Sequence, residues 1–111
     1  MPNRGNRLCK ARVKNNNPKS RLCEFELVTV REYNDYDGGT YIEQVNTAAE
    51  FLEKDNNAID EPFYHIYGTY CSNHYMPYMK KTRFIAEFFD LDKALNFLLD
   101  LTGEEPLLIS Y

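Results

Sequence analysis

The sequence has few cysteines and no long apolar run, and each absence argues against a class of protein. Three cysteines, Cys9, Cys23 and Cys71, are an odd number at wide spacing, which is unsuited to a disulfide framework. We therefore expect all three to be thiols in a reducing compartment. No stretch approaches the roughly 18 to 20 apolar residues of a membrane span, and the N-terminus lacks the apolar segment of a secretory signal. These features predict a cytoplasmic protein without a membrane partner.

Acidic residues are missing from the first 22 positions. This segment carries seven cations and no carboxylate, a net charge of +7: Arg4, Arg7, Lys10, Arg12, Lys14, Lys19 and Arg21. The remaining chain holds six cations and all seventeen Asp and Glu residues, a net charge of −11, so the whole protein has a formal charge of −4. Such a separation of charge limits the kind of partner that the protein can bind.

Length and composition indicate one folded domain. The 111 residues suffice for a single core, because domains commonly have about 100 to 150 residues. Hydrophobic residues at 43% and charged residues at 27% are ordinary globular values. We expect residues 1–6 to be flexible and the rest to form one α+β unit.

The C-terminal segment, residues 82–111, reads as strand, helix and strand. From Leu91 to Leu101 the apolar residues cover more than half of a helical wheel, which predicts a helix packed on a sheet. Asp90 stands at the N-cap and Gly103 where a left-handed residue ends a helix. Strands are predicted on either side, at 83–89 and 107–111.

A second helix is predicted over about 41–54. Thr40 and Glu43 have the spacing of a capping box, and Ile42, Val45 and Leu52 recur at helical spacing. The other elements are strands at about 7–14, 21–33 and 63–70, a turn at 15–20, a loop at 34–39 and a long connection at 71–81. The order ββαββαβ predicts a mainly antiparallel sheet with two helices packed on one face.

Two positions in the strands suggest irregularities. The alternation of apolar residues changes parity near Leu27 and Val28, which predicts a bulge or burial on both faces. Gly68 interrupts an aromatic strand and marks a second candidate bulge.

The leading functional hypothesis is a binding module that docks a basic hairpin on nucleic acid or a ribonucleoprotein. Cations on the hairpin would neutralise phosphates, and tyrosines near a second basic cluster would stack on bases. The candidate residues are Arg7, Lys10, Arg12, Lys14, Lys19 and Arg21, with Lys80, Lys81, Arg83, Tyr67 and Tyr70 beside Tyr64, Tyr75 and Tyr78. The pI near 5.1 argues against this hypothesis, because nucleic-acid-binding domains are usually basic.

The alternative is an acidic inhibitor that occupies a basic groove of a nucleic-acid-binding protein. Small proteins of mobile elements that inhibit host nucleases often have this size and charge. The candidate carboxylates are Glu43, Glu50, Glu53, Asp55, Asp60, Glu61, Asp92, Asp100, Glu104 and Glu105. Exposed helix faces are ordinarily charged, so the same residues also fit a solvated surface. A homodimer through an edge strand is also possible on sequence grounds.

A zinc protein or small cysteine-dependent enzyme is a third hypothesis. Cys71 and His74 have a two-ligand spacing that Cys9 and Cys23 could complete. Cys71 could also act as a nucleophile with His74 or His65 as base, although no oxyanion site follows it. The loop at 34–39 has carboxylates but lacks the ligand spacing of a calcium loop. We predict no cofactor and no metal.

Overall fold

The computed structural model describes residues 7–71 and 81–111. Its elements are β1 (Cys9–Lys14), β2 (Leu22–Asn34), β3 (Thr40–Gln44), α1 (Ala48–Glu53), a 3-10 turn (Asp55–Asn57), β4 (Phe63–Tyr70), β5 (Thr82–Phe88), α2 (Leu91–Thr102) and β6 (Leu107–Ser110). The α+β class is confirmed, with six strands in the described ranges instead of the predicted five. Within those ranges, no helix combines the length and apolar character needed to cross a membrane.

All strand pairs are antiparallel, and the order across the sheet is β5-β4-β2-β1-β6. The central strand β2 is long enough to pair with two strands along one edge: β1 lies beside its first half and β3 beside its second half. The second half of β2 therefore projects with β3 beyond the end of β1. This extension carries the candidate site.

One side of the sheet, the helix face, holds the main core. Side chains of three central strands and α2 form one buried cluster: Cys9, Ala11, Val13, Phe25, Leu27, Tyr64, Ile66, Leu91, Ala94 and Leu98. Burying a leucine such as Leu98 stabilises the fold by roughly 1.5 to 3 kcal/mol. The other side, the open face, carries a smaller cluster of Val28, Val30 and Phe63.

The predicted ends of α2 are confirmed. The Asp90 carboxylate accepts hydrogen bonds from the backbone N–H groups of Asp92 and Lys93, at 2.9 and 3.2 Å. Gly103 ends the helix at φ 75°, in the left-handed region that favours glycine.

Both helices lie on the helix face, as predicted. Helix α1 contacts it through Phe51, whose ring centroid lies 4.3 Å from the guanidinium carbon of Arg31. Arg31 shares its side of β2 with Leu27, because residues an even number of positions apart in a strand point the same way. Leu27 belongs to the cluster under α2.

The prediction of a helix over 41–54 was wrong in its first half. Residues Thr40–Gln44 form β3, paired with Val30–Asn34, and α1 begins only at Ala48. The functioning cap is Thr47, whose hydroxyl accepts from the N–H of Glu50 at 3.0 Å. Thr40 instead donates its hydroxyl to the Glu32 carboxylate at 2.9 Å.

The prediction of three free thiols was also wrong. Cys23 and Cys71 form a disulfide with a Cα–Cα distance of 5.0 Å, and only Cys9 remains a thiol. The pairing follows from strand register: Leu22 is opposite Tyr70, and a bulge between Leu22 and Glu24 displaces Cys23.

The irregularities lie close to where the sequence suggested them. Leu27 to Arg31 are buried on both sides of β2, whereas the bulges occur at Leu22/Glu24 and at Ile66/Tyr67. Gly68 has a different role, because a Cβ there would lie 2.8 Å from Leu22 Cδ1. Glycine at this position allows Leu22 to pack against the sheet.

Candidate functional site

The predicted basic hairpin is partly neutralised by its own second strand. Arg12 forms ion pairs with Glu24 and Glu26, each at 3.3 Å, although its side chain remains 61% exposed. Lys10 and Lys14 flank it on the open face, opposite Val28 and Glu24. The middle of β1 is therefore a mixed-charge surface, where exposed ion pairs stabilise the fold only weakly.

Three cations of the hairpin lie at one end of the sheet. Lys14, Lys19 and Arg21 are exposed and make no ion pair with any residue in the described ranges. Lys81 and Arg83 reach the same end, since the Tyr70 N–H donates to the Lys81 carbonyl at 2.9 Å. We call Lys14, Lys19, Arg21, Lys81 and Arg83 the cationic end.

The predicted aromatic residues are divided between the two faces of the sheet, and so are the cations of this end. Tyr70 is opposite Leu22 and Arg83 is opposite Gly68, so both lie on the helix face. Tyr67 lies on the open face opposite Glu26. The predicted candidates Lys80, His74, Tyr75 and Tyr78, and the predicted flexibility of residues 1–6, lie outside the described residues.

Arg7 is held through its backbone. Its N–H donates to the Tyr64 hydroxyl at 2.8 Å, and that hydroxyl donates to the Arg7 carbonyl at 2.7 Å. Burial raises the pKa of Tyr64 to about 12. The exposed side chain of Arg7 thus projects from a fixed point beside β4.

The cysteines do not assemble the predicted zinc site. The disulfide between Cys23 and Cys71 removes two of the thiolates that zinc would need, and removes Cys71 as a free nucleophile. Cys9 is buried, and that burial raises the pKa of its thiol. In residues 7–71 and 81–111 no group of three or more His, Cys, Asp or Glu side chains is placed to hold a metal.

His65 lies in a polar cluster on the open face. Its Nε2 is 2.8 Å from Glu87 Oε2 and its Nδ1 is 3.2 Å from the Tyr67 hydroxyl. Its ring makes T-shaped contacts with the rings of Phe63 and Phe84, at centroid distances of 5.5 and 5.0 Å. Both ring nitrogens have a partner, so the imidazole binds its neighbours in the sheet.

The strongest concentration of charge lies at the other end of the molecule, in residues 31–62. We call this segment the acidic lobe. It contains nine carboxylates, more than half of the chain's seventeen, and two cations, which gives a net charge of −7. The carboxylates are Glu32, Asp35, Asp37, Glu43, Glu50, Glu53, Asp55, Asp60 and Glu61.

Both cations of the lobe are bound within it. Arg31 Nη1 lies 2.9 Å from Asp55 Oδ1, and its Nε donates to the Asp60 carbonyl at 3.0 Å. Lys54 Nζ is 2.5 Å from Glu43 Oε1, and this hydrogen bond raises the pKa of Lys54. No residue in the described ranges forms an ion pair with the other seven carboxylates of the lobe.

A tight turn joins β2 to β3 at the tip of the lobe. The Asp35 N–H donates to the Gly39 carbonyl at 2.8 Å, and Gly38 has φ 93°. The Asp37 carboxylate accepts from the Gly39 N–H at 3.0 Å. Tyr36 is fully exposed between the two aspartates. The turn therefore presents an aromatic side chain and negative charge from an ordered backbone.

The sequence identified only part of this lobe. It predicted Glu43, Glu50, Glu53, Asp55, Asp60 and Glu61, but not Glu32, Asp35 and Asp37, which the β2–β3 hairpin brings beside them. The predicted Glu104 lies at the opposite end, where it accepts from the Asn16 amide at 2.6 Å. The sequence signal that would have identified this hairpin is the glycine-containing turn at 35–39, which is typical of a hairpin.

No protein-family model, curated protein or solved structure matches this chain. Arguments about its function therefore depend on its own surfaces.

Proposed function

We propose that this chain is a non-catalytic binding protein that docks its acidic lobe on a basic surface of a partner protein. The observation that supports this most is the net charge of −7 over residues 31–62, where both cations are already ion-paired within the lobe. A partner that presents lysines and arginines would meet seven carboxylates of the lobe that form no ion pair with any described residue.

Charge of this density favours fast and selective association. Complementary potentials steer two proteins together and disfavour partners of like charge. Basic grooves that accept nucleic acid are arranged to neutralise phosphates, so a dense cluster of carboxylates competes for the same cations. Occupation of such a groove would make the protein an inhibitor of nucleic-acid binding.

Aromatic and aliphatic side chains on the lobe add contact energy. Tyr36 and Leu52 are exposed there among the carboxylates. Tyrosine is frequent among residues that dominate interface energies, because it buries a large area with few rotatable bonds. We therefore place the contact region around the β2–β3 turn and α1.

The test is affinity capture from a nuclease-treated cell extract with charge-reversed variants. In Glu53→Lys/Glu61→Lys, both carboxylates are exposed and neither makes a side-chain hydrogen bond or ion pair within the described ranges. Asp100→Lys/Glu105→Lys makes the same change of charge outside the lobe and is the control. We expect capture of a basic protein to survive nuclease and the control substitutions, and to be lost in the lobe variant. Capture that disappears with nuclease contradicts the proposal.

The cationic end supports a second candidate, binding to nucleic acid or a ribonucleoprotein. Lys14, Lys19 and Arg21 are exposed there without an ion pair in the described ranges. With about five phosphate contacts, the logarithm of the binding constant would fall against log salt with a slope of roughly −4 to −5 on duplex DNA. A labelled duplex that binds wild type and Lys14→Glu/Lys19→Glu equally, or binds without salt dependence, contradicts this candidate.

A further inference from the structure

The disulfide between Cys23 and Cys71 lies at the margin of the sheet, outside the core. Cys23 is exposed and Cys71 is half-buried, and neither belongs to the buried cluster on either face. A thiol in solution can therefore reach the bond without any change in the core. Exposed disulfides are the ones that exchange readily with other thiols, whereas structural disulfides resist reduction.

The backbone around both cysteines is held by hydrogen bonds that do not involve the sulfur atoms. The Cys71 N–H donates to the Arg21 carbonyl at 2.8 Å, and the Cys23 carbonyl accepts from the Asn15 N–H at 2.8 Å. These hydrogen bonds remain when the disulfide opens. We therefore expect the sheet to keep its register with both cysteines reduced.

Positive charge adjoins the disulfide. Arg21 lies opposite Cys71, and residues in such a hydrogen-bonded pair have Cα atoms about 5.5 Å apart. The Lys81 carbonyl accepts from the N–H of Tyr70, the residue before Cys71, at 2.9 Å. Arg21 forms no ion pair with any residue in the described ranges. A cation near a sulfur atom stabilises the thiolate that leaves during exchange, and it attracts a thiol that carries negative charge.

One carboxylate also adjoins the disulfide. Glu24 follows Cys23 in β2, and its Oε1 lies 3.3 Å from Arg12 Nε. This ion pair reduces the repulsion that the carboxylate would otherwise exert on an approaching anion. The charge around the bond is therefore positive on balance.

We propose that the Cys23–Cys71 disulfide is an exchange site for an anionic low-molecular-weight thiol of the glutathione class. The thiolate of that molecule attacks the exposed sulfur of Cys23. A bond forms between these two sulfur atoms, and the bond between Cys23 and Cys71 breaks. Cys71 leaves as a thiolate next to Arg21. The attacking sulfur is oxidised and the Cys71 sulfur is reduced, so the step needs no other oxidant or reductant. The binding role of the acidic lobe is not required for this reaction.

The exchange is reversible at the same site. The Cys71 thiolate can attack the mixed disulfide at Cys23, which restores the original bond and releases the small thiol. A second molecule of the small thiol can instead attack the mixed disulfide, which leaves both cysteines reduced and forms the oxidised small thiol. The state of the bond would therefore follow the balance of reduced and oxidised small thiol around the protein.

The first test is incubation of the folded chain with reduced glutathione, quenched at intervals with excess N-ethylmaleimide, followed by mass measurement and peptide mapping. We expect a species with glutathione on Cys23 and the maleimide on Cys71, formed at a rate proportional to the glutathione concentration. Cys9→Ser is the control and should react in the same way, because Cys9 is buried and forms no disulfide.

Three results of this test would overturn the proposal. The first is a disulfide that stays intact at every glutathione concentration. The second is glutathione attached to Cys71 instead of Cys23. The third is opening at a rate that does not depend on glutathione and that coincides with loss of the circular dichroism of the folded chain, since the bond would then open only through unfolding.

The second test separates the effect of charge from that of access. Arg21→Gln should slow opening by glutathione about threefold or more, and should slow opening by the neutral thiol 2-mercaptoethanol less, because it removes a cation beside the bond. Arg21→Lys keeps the charge and should react like wild type. Lys93→Gln removes an exposed cation from the first turn of α2 and is the matched control, with a wild-type rate expected. A wild-type rate in Arg21→Gln, or equal slowing in Lys93→Gln, overturns the proposal.

Discussion

At the scale of single residues, Arg31 organises the acidic lobe. Its side chain is 8% exposed, and it contacts three separate parts of the segment: the Asp55 carboxylate, the Asp60 carbonyl and the Phe51 ring. Replacing a buried cation that has several partners destabilises the fold, because the groups that it bound are left without a hydrogen-bond or ion-pair partner.

Replacement of Arg31 therefore tests the assembly of the lobe. We expect Arg31→Leu to lower the free energy of unfolding by about 2 to 3 kcal/mol, since it removes charged hydrogen bonds from a buried position. Arg12→Leu is the control, because Arg12 also makes two ion pairs but is 61% exposed, and we expect a change below about 1 kcal/mol. Urea unfolding measures both. Equal effects at the two positions would contradict the organising role of Arg31.

The Tyr64 hydroxyl gives a prediction for alkaline pH. Its pKa is raised to about 12 in the folded chain by burial, whereas an unfolded tyrosine has a pKa of about 10. The folded state keeps the proton that the unfolded state loses, so stability is unchanged below pH 10 and falls as the pH rises from 10 toward 12. The loss should reach roughly 1 to 3 kcal/mol. Burial also raises the pKa of Tyr111 to about 12, so Tyr64→Phe should reduce the loss in urea unfolding curves between pH 9 and 11.5 without abolishing it. An unchanged loss would argue against Tyr64 as one of its sources.

At the scale of elements, the sequence predicted α2 well because its signals are local. Asp90, the apolar stripe and Gly103 lie within one helix and agree with each other. β3 was missed because Thr40 and Glu43 imitate a capping box. Its pairing with β2 is decided instead by the turn at Asp35 to Gly39 and by cross-strand contacts such as that of Tyr33 and Tyr41, whose ring centroids are 5.5 Å apart.

That turn can be tested at its two glycines. Gly38 has φ 93°, a conformation that disfavours any residue with a Cβ, so Gly38→Ala should lower the free energy of unfolding by about 1 to 2 kcal/mol. Gly39 does not have positive φ, and Gly39→Ala should change stability by less than about 0.5 kcal/mol. Thermal and urea unfolding provide the comparison. If both substitutions cost the same, the turn geometry described here is wrong.

The disulfide could not be derived from the sequence, because cysteines 48 positions apart meet only through the register of β2 and β4. Its closure of a long loop should stabilise the fold by about 2 to 4 kcal/mol. We expect Cys23→Ser/Cys71→Ser to lose this amount, and wild type to lose it when a thiol reductant is added. Cys9→Ser is the control: it keeps the disulfide, so the reductant should lower its stability as it does in wild type. A reductant that leaves wild-type stability unchanged would show that the bond does not form.

At the scale of the whole molecule, the sequence predicted that charge would be segregated but misplaced its boundary. Part of the basic segment folds against Glu24 and Glu26, which neutralise Arg12. The acidic half is concentrated further, because the β2–β3 hairpin joins Glu32, Asp35 and Asp37 to the carboxylates around α1. A charge count along the chain has no information about strand register, and strand register decided both outcomes.

The protein-binding role of the acidic lobe is tested most directly by an equilibrium binding measurement with a captured basic protein, free of nucleic acid. We expect the association constant to fall at least about tenfold in Glu53→Lys/Glu61→Lys and to weaken as salt is raised. We expect Asp100→Lys/Glu105→Lys, with the same change of net charge, to bind like wild type. Equal loss in both variants, or binding that requires added nucleic acid, would contradict the account.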